Sequence, residues 1–153
     1  MKKPASFLAA IVALTLAVFS LAGCNTSPSV EEVLADNNNN APIIDKLLSD
    51  TASNMNKNMP MNVDADTRLD NVSALPNKTL RYNFTLVNTA RDDLDAEGQA
   101  QVEDYLKGQI LDGIKGSSDM QALKDAEVTF EYLYKSSDSI ELFIFTFGPS
   151  DYK

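Results

Sequence analysis

Sixteen residues, Phe7 to Ala22, form an apolar run broken only by Thr15 and Ser20, and the chain's only cysteine, Cys24, stands two positions later. This run decides where a fold can form. A bilayer crossing needs about 20 residues, so it is short for a membrane span. Lys2 and Lys3 precede it and small residues end it, the pattern of a cleaved secretory signal. The globular part must therefore come from the residues beyond Cys24. It must also form without an intrachain disulfide, because one cysteine cannot make one.

The run closes on Leu21-Ala22-Gly23-Cys24: a leucine, two small residues and a cysteine. This resembles the lipobox of bacterial lipoproteins. The resemblance covers only the first 24 residues. It implies a diacylglycerol thioether on Cys24, cleavage between Gly23 and Cys24, and acylation of the new amino group. The alternative is cleavage at a nearby small-residue site, which leaves Cys24 a free thiol. Each buried methylene contributes roughly 0.8 kcal/mol and stable anchoring takes more than one chain, which a multiply acylated Cys24 supplies. The partner so implied is the lipid bilayer. In Gram-negative sorting, aspartate after the cysteine favours the inner membrane. Asn25 in that place implies the outer membrane, with the domain facing the periplasm, if the cell is Gram-negative.

The whole chain has 13 basic and 22 acidic residues, a formal charge of −9; setting aside Lys2 and Lys3 leaves 11 against the same 22, or −11. Such a surface opposes nucleic-acid binding and draws little from anionic headgroups. It favours a basic partner, but acidity is also an ordinary means of staying soluble.

Organisation emerges from periodicity. Residues 24–40, ending Asp36-Asn37-Asn38-Asn39-Asn40, read as a flexible tether too polar to bury a core. Residues 41–153 read as a single domain. Asn40 suits an N-cap and Pro42 a first turn, and Ile43, Ile44, Leu47, Leu48, Thr51 and Met55 at helical spacing predict a helix over 41–57. Strands are predicted over 61–74 and 79–87, joined through Pro76 and Asn77. In the second, Leu80, Tyr82, Phe84 and Leu86 alternate with Arg81, Asn83 and Thr85. Asp92, Asp93 and Asp95 crowd the start of a second helix with the stripe Val102, Tyr105, Leu106, Ile110 and Ile114. Gly116 fits the position past its end, and Gly98, Gly108 and Gly113 fit close packing on the sheet. A helical turn over 120–123 precedes strands at 128–135 and 140–147. The order α-β-β-α-β-β predicts an α+β fold, an antiparallel sheet of two hairpins packed against helices. This layout resembles small periplasmic α+β modules such as pilotins and inhibitor-like proteins. No motif after residue 24 assigns the domain to a family.

The absence of histidine and of any second cysteine removes Ser-His-Asp and Cys-His catalysis, histidine zinc sites and thiolate clusters together. Asp64, Asp66 and Asp70 begin like a calcium loop. The pattern then breaks, with Arg68 fifth, Leu69 in place of glycine and Leu75 in place of the closing glutamate. Asp92, Asp93, Asp95 and Glu97 are explained by helix capping. A carboxylate pair or a Ser-Lys dyad has no local signature here. The expectation is no catalytic residue, no metal and no cofactor. The function expected is that of a non-enzymatic accessory domain contacting another envelope protein. The rivals are an inhibitor or immunity-type lipoprotein against a basic enzyme or toxin, and a carboxylate-based hydrolase.

The final strand offers the one candidate partner surface. Its two faces are both apolar: Ile140, Leu142 and Ile144 on one, Phe143, Phe145 and Phe147 on the other. The isoleucine face is expected to join the core. The phenylalanines then need cover from the helix at 41–57, or else they form a surface for an apolar ligand or partner helix.

Overall fold

The computed structural model describes residues 41–153. The leader at 1–23, the tether at 24–40 and the Asn40 cap lie outside them. Helix α1 (Ala41–Asn56) buries Ile44, Leu48 and Ala52, one stripe at i, i+4 and i+8, and packs on strands β2 (Thr67–Leu75) and β3 (Thr79–Leu86). Leu48 is fully enclosed, so truncating it to alanine would cost about 2–5 kcal/mol.

The single strand expected over 61–74 is two. After β1 (Met61–Asn62), the Asp64 carboxylate accepts the backbone N–H groups of Asp66 and Thr67 at 2.8 and 2.7 Å. That reverses the chain, and Met61 pairs back onto Leu69. The turn between β2 and β3 places Asn77 and Lys78 at φ 65 and 56. Asparagine tolerates this left-handed region, but a lysine there is uncommon. Asp45 of α1 holds the turn by accepting both N–H groups, at 3.2 Å from Asn77 and 2.6 Å from Lys78.

Helix α2 (Ala96–Gly116) is preceded by a 3-10 turn at Arg91–Asp93 and capped by Asp95, whose carboxylate accepts from Gly98 N at 2.8 Å. Leu106, Ile110 and Ile114 are buried, while Val102 and Tyr105 are half-buried. The expected glycine cap does not form, since Gly116 is the last helical residue and no glycine among the described residues has a positive φ. Lys124, in the short helix α3 (Gln121–Asp125), closes that end instead. Its buried ammonium donates to the carbonyls of Ile114, Lys115 and Ser117 at 3.1, 3.2 and 2.9 Å, where a cation also meets the negative end of the helix dipole. Nor do the glycines mark close packing: a Cβ at Gly108 or Gly113 would meet no atom within 4 Å.

Strands β4 (Thr129–Lys135) and β5 (Glu141–Phe147) form the second hairpin. The fold is α+β and the sheet mostly antiparallel, but it is not simply two hairpins side by side. Its order is β1-β2-β3-β4-β5, and the central pair β3–β4 is parallel. The cause is α2: at 1.5 Å per residue its 21 residues span roughly 31 Å, enough to return the chain to the starting end of β3. Parallel neighbours require such a crossover. A last helix, α4 (Pro149–Tyr152), was not expected from the sequence. Tyr152 donates its hydroxyl to Val128 O at 2.7 Å and meets Phe130 edge-on at 5.6 Å.

Candidate functional site

Cross-strand register sorts the sheet into two faces. Leu80, Tyr82 and Phe84 of β3 lie level with Phe130, Tyr132 and Tyr134 of β4, and these with Phe147, Phe145 and Phe143 of β5. The result is an aromatic layer on one face. Tyr82 stacks on Tyr132 at 5.1 Å, Phe84 on Tyr134 at 4.9 Å, and Phe143 on Phe145 at 6.1 Å. On β2, Asp70 is an extra residue at a bulge, so the buried side chain changes from odd Leu69 to even Val72 and both reach this layer.

This corrects the expectation for the last strand. Phe143, Phe145 and Phe147 are buried to 5%, 4% and 2% exposure, so they are core and not a surface open to a partner. Ile144 points the opposite way and is 56% exposed; Ile140 is exposed as well. Of the isoleucine set only Leu142 is buried, displaced by an irregularity in the register beside Tyr134 and Lys135. The physical reason is area. Phenylalanine buries more apolar surface than isoleucine, and these three meet aromatic partners across the ladder. The cover also differs: helix α2 and α4 lie against β5, while α1 sits over β2 and β3.

Three rows of the outer face run from β2 across to β5. Arg68, Thr85, Lys135 and Glu141 lie level in the first, Asn71, Asn83, Leu133 and Ile144 in the second, and Ser73, Arg81, Glu131 and Thr146 in the third. At the β2–β3 end it is a polar lattice. Asn83 donates to Asn71 Oδ1 at 2.8 Å, and Asp70 takes both Arg68 and Thr85. Arg81 holds Glu131 through Nη2 at 2.7 Å and Nε at 2.8 Å. Across β4 and β5 the second row becomes apolar, with Leu133 only 5% exposed beside Ile144.

Five of the acids singled out in the sequence have a local task. Asp64 holds its turn, Asp66 accepts from Asn88 Nδ2 at 2.8 Å, and Asp70 is paired with Arg68. Asp93 accepts from Ala90 N at 2.9 Å and Asp95 caps α2. Among the described residues no three His, Cys, Asp or Glu side chains gather to hold a metal ion, and no helix is long and apolar enough to cross a membrane. Gly23 and Cys24 lie outside the described residues.

The two sheet edges differ, which the sequence reading missed. At the β1 side, Asn56 reaches past the end of the two-residue strand and binds both backbone groups of Val72. Its Oδ1 accepts from N and its Nδ2 donates to O, each at 2.8 Å. At the other side, β5 pairs only with β4 among the described residues. The available signal was Ile144 itself, the apolar residue at the centre of a strand whose larger side chains all take the other face.

Residues 42–144 match the family model described as a domain of unknown function, DUF8479, and the chain belongs to that family. No curated protein matches it in sequence. Among solved structures, the fold is similar to that of a Pseudomonas aeruginosa protein described as secreted (11% identity, TM-score 0.60, covering 74% of this chain and 96% of that one). It is also similar to two type II secretion system pilotins. These are EpsS from Vibrio vulnificus (8%, 0.55, 74% and 94%) and AspS from Vibrio cholerae (10%, 0.54, 72% and 94%). At such identities the likeness is one of fold.

Proposed function

We propose that this is a bacterial lipoprotein, anchored to the membrane through acylated Cys24, whose non-enzymatic domain contacts another protein of the cell envelope. In a Gram-negative cell, Asn25 directs it to the outer membrane, facing the periplasm. The observation that carries this reading is Leu21-Ala22-Gly23-Cys24 closing an apolar run ahead of an α+β domain. Two features support the non-enzymatic part. The chain has no histidine, and the outer-face carboxylates of Asp70 and Glu131 are each paired with an arginine. The pilotin fold likeness supports an accessory role at the envelope.

The anchor is tested by expressing the full chain in a bacterium with a fatty-acid probe. The parent is expected to incorporate label and lose residues 1–23, and Cys24→Ser to do neither. Label retained by Cys24→Ser would sink the lipoprotein reading. The accessory role is tested by cross-linking in intact envelopes: a partner of defined mass should be trapped on the parent and lost when Cys24→Ser leaves the domain on its uncleaved leader in place of the acyl anchor.

A further inference from the structure

We propose that Met55, Met59 and Met61 form a binding site for one soft monovalent cation, Cu(I), held through their thioether sulfurs. The proposal goes beyond the envelope reading and does not depend on the anchor. Thioether sulfur favours Cu(I), whereas hard divalent cations take oxygen ligands. The described residues hold no histidine and no cysteine, so methionine supplies their only sulfur donors. There are four such methionines, and three of them fall within seven residues. The fourth, Met120, is 1% exposed and fills the core, the ordinary use of this side chain. The other three do not share that use: Met55 and Met59 are half-buried and Met61 is 38% exposed.

The fold gathers the three at the β1 edge. Met55 lies in the last turn of α1, and the chain winds on past Asn56. Asn58 N donates to Met55 O at 3.1 Å and Met59 N to Asn56 O at 3.3 Å. Met55 and Met59 are thus about one turn apart, and both pack against the core. Between them, Asn56 anchors the turn to the sheet edge through its two bonds to Val72. Met61 opens β1 opposite Leu69. Partners across a ladder share a face, so Met61 lies on the side where Leu69 is buried. Val63, two residues on, packs against the core from that same side. The end of α1, the turn after it and the start of β1 therefore each present a thioether to one edge of the molecule. Methionine is unbranched with three rotatable bonds, which lets the sulfurs close on an ion without moving the backbone. The nearest carboxylate in sequence, Asp64, holds its own turn, so the site offers a hard cation no dedicated charged oxygen. The formal charge of −9 draws cations to the chain as a whole.

Leucine matches methionine in volume and lacks the sulfur, so substitution separates the site from packing. The full-length chain carrying Cys24→Ser, which removes the only thiol, is titrated in detergent with Ag(I) as a redox-stable stand-in. Cu(I) is then titrated against a competing chelator without oxygen. One ion per chain is expected, with the isotope-labelled methyl signals of Met55, Met59 and Met61 shifting together and that of Met120 unmoved. Losing a ligand costs at least what losing an outer-shell partner does, so Met55→Leu, Met59→Leu and Met61→Leu should each weaken binding roughly tenfold or more. Their thermal midpoints should stay close to the parent's. The triple variant should not bind, and Met120→Leu should bind as the parent does. No binding by the parent, binding kept by the triple variant, equal loss in Met120→Leu, or several ions per chain with all methyl signals moving alike would overturn the proposal.

Discussion

Tyr132→Phe removes one oxygen atom from the centre of the aromatic layer and is expected to stabilise the domain. Tyr132 is fully enclosed, and its hydroxyl has no hydrogen-bond partner among the described residues. Burying a hydroxyl without compensation costs about 1–3 kcal/mol. Phenylalanine keeps the ring, and with it the stacking on Tyr82 and Phe84 and the edge contact with Phe147. Against the gain stands a void on the order of 10 Å³, about 0.3 kcal/mol at the usual cost of cavity volume. The net is a gain of about 1–2.5 kcal/mol, or roughly 4–10 °C in melting temperature for a domain of this size. Tyr152→Phe makes the same chemical change with the opposite expected sign, because the Tyr152 hydroxyl donates to buried Val128 O at 2.7 Å. Its loss strands that carbonyl and should cost about 1–3 kcal/mol. Urea unfolding followed by circular dichroism gives both values as midpoint shifts at constant slope. If Tyr132→Phe lowers the midpoint as Tyr152→Phe does, its hydroxyl is engaged in solution and the reasoning fails.

Three further outcomes can be checked on the same preparations. Gly108→Ala and Gly113→Ala place a methyl in open space on a helix and should each raise stability by about 0.5–1 kcal/mol. A lower thermal midpoint for either would reveal a contact there. Gly98→Ala should gain less, since its Cβ would sit 3.2 Å from the capping Asp95 carboxylate. Lys124→Met keeps the apolar stem but removes the ammonium from three carbonyls. It should cost about 2–3 kcal/mol and speed amide exchange over the last turn of α2, and an unchanged midpoint would refute the capping role. Finally, burial raises the phenols of Tyr82, Tyr132 and Tyr134 above their ordinary value of 10.0 and pushes Tyr152 up to about 12. Above pH 10 the unfolded chain has lost phenolic protons that the fold retains, so stability is full below that pH and falls as pH rises. Tyrosinate absorbance from these four should appear in one step with loss of ellipticity, and gradual titration with the fold intact would contradict this.

Short-range pattern made the elements legible and left their arrangement hidden. The alternation from Leu80 to Leu86 predicted a half-buried strand, and all four even residues are buried. The stripe from Leu106 to Ile114 likewise predicted the helix that buries it. What pattern lacks is the identity of the neighbour. The parallel pairing of β3 and β4 results from where α2 returns the chain, and no period of two or 3.6 records that. β5 was ambiguous because both of its faces are apolar, and the partners that decide between them lie across the ladder on β4. Asn56 and Lys124 were invisible for a related reason. Each is a polar residue on a helix whose partner, Val72 in one case and the end of α2 in the other, comes near only in three dimensions. The candidate surface moved with the strand: the phenylalanines went inside and Ile144 took their place outside.

The acidic excess also takes on a different meaning once the chain is folded. Read as composition, it signals solubility and a preference for basic partners. Among the described residues, six aspartates accept main-chain N–H groups at turns and helix starts. Asp45 holds the β2–β3 turn, Asp64 the β1–β2 turn, and Asp93 and Asp95 the entry to α2. Asp138 accepts from Arg91 N and Asp151 from Gly148 N. A carboxylate is the strongest acceptor available for such groups, and a chain without disulfides needs its turns fixed by other means. That part of the acidic charge therefore serves the backbone. The middle of β5, by contrast, carries no charge.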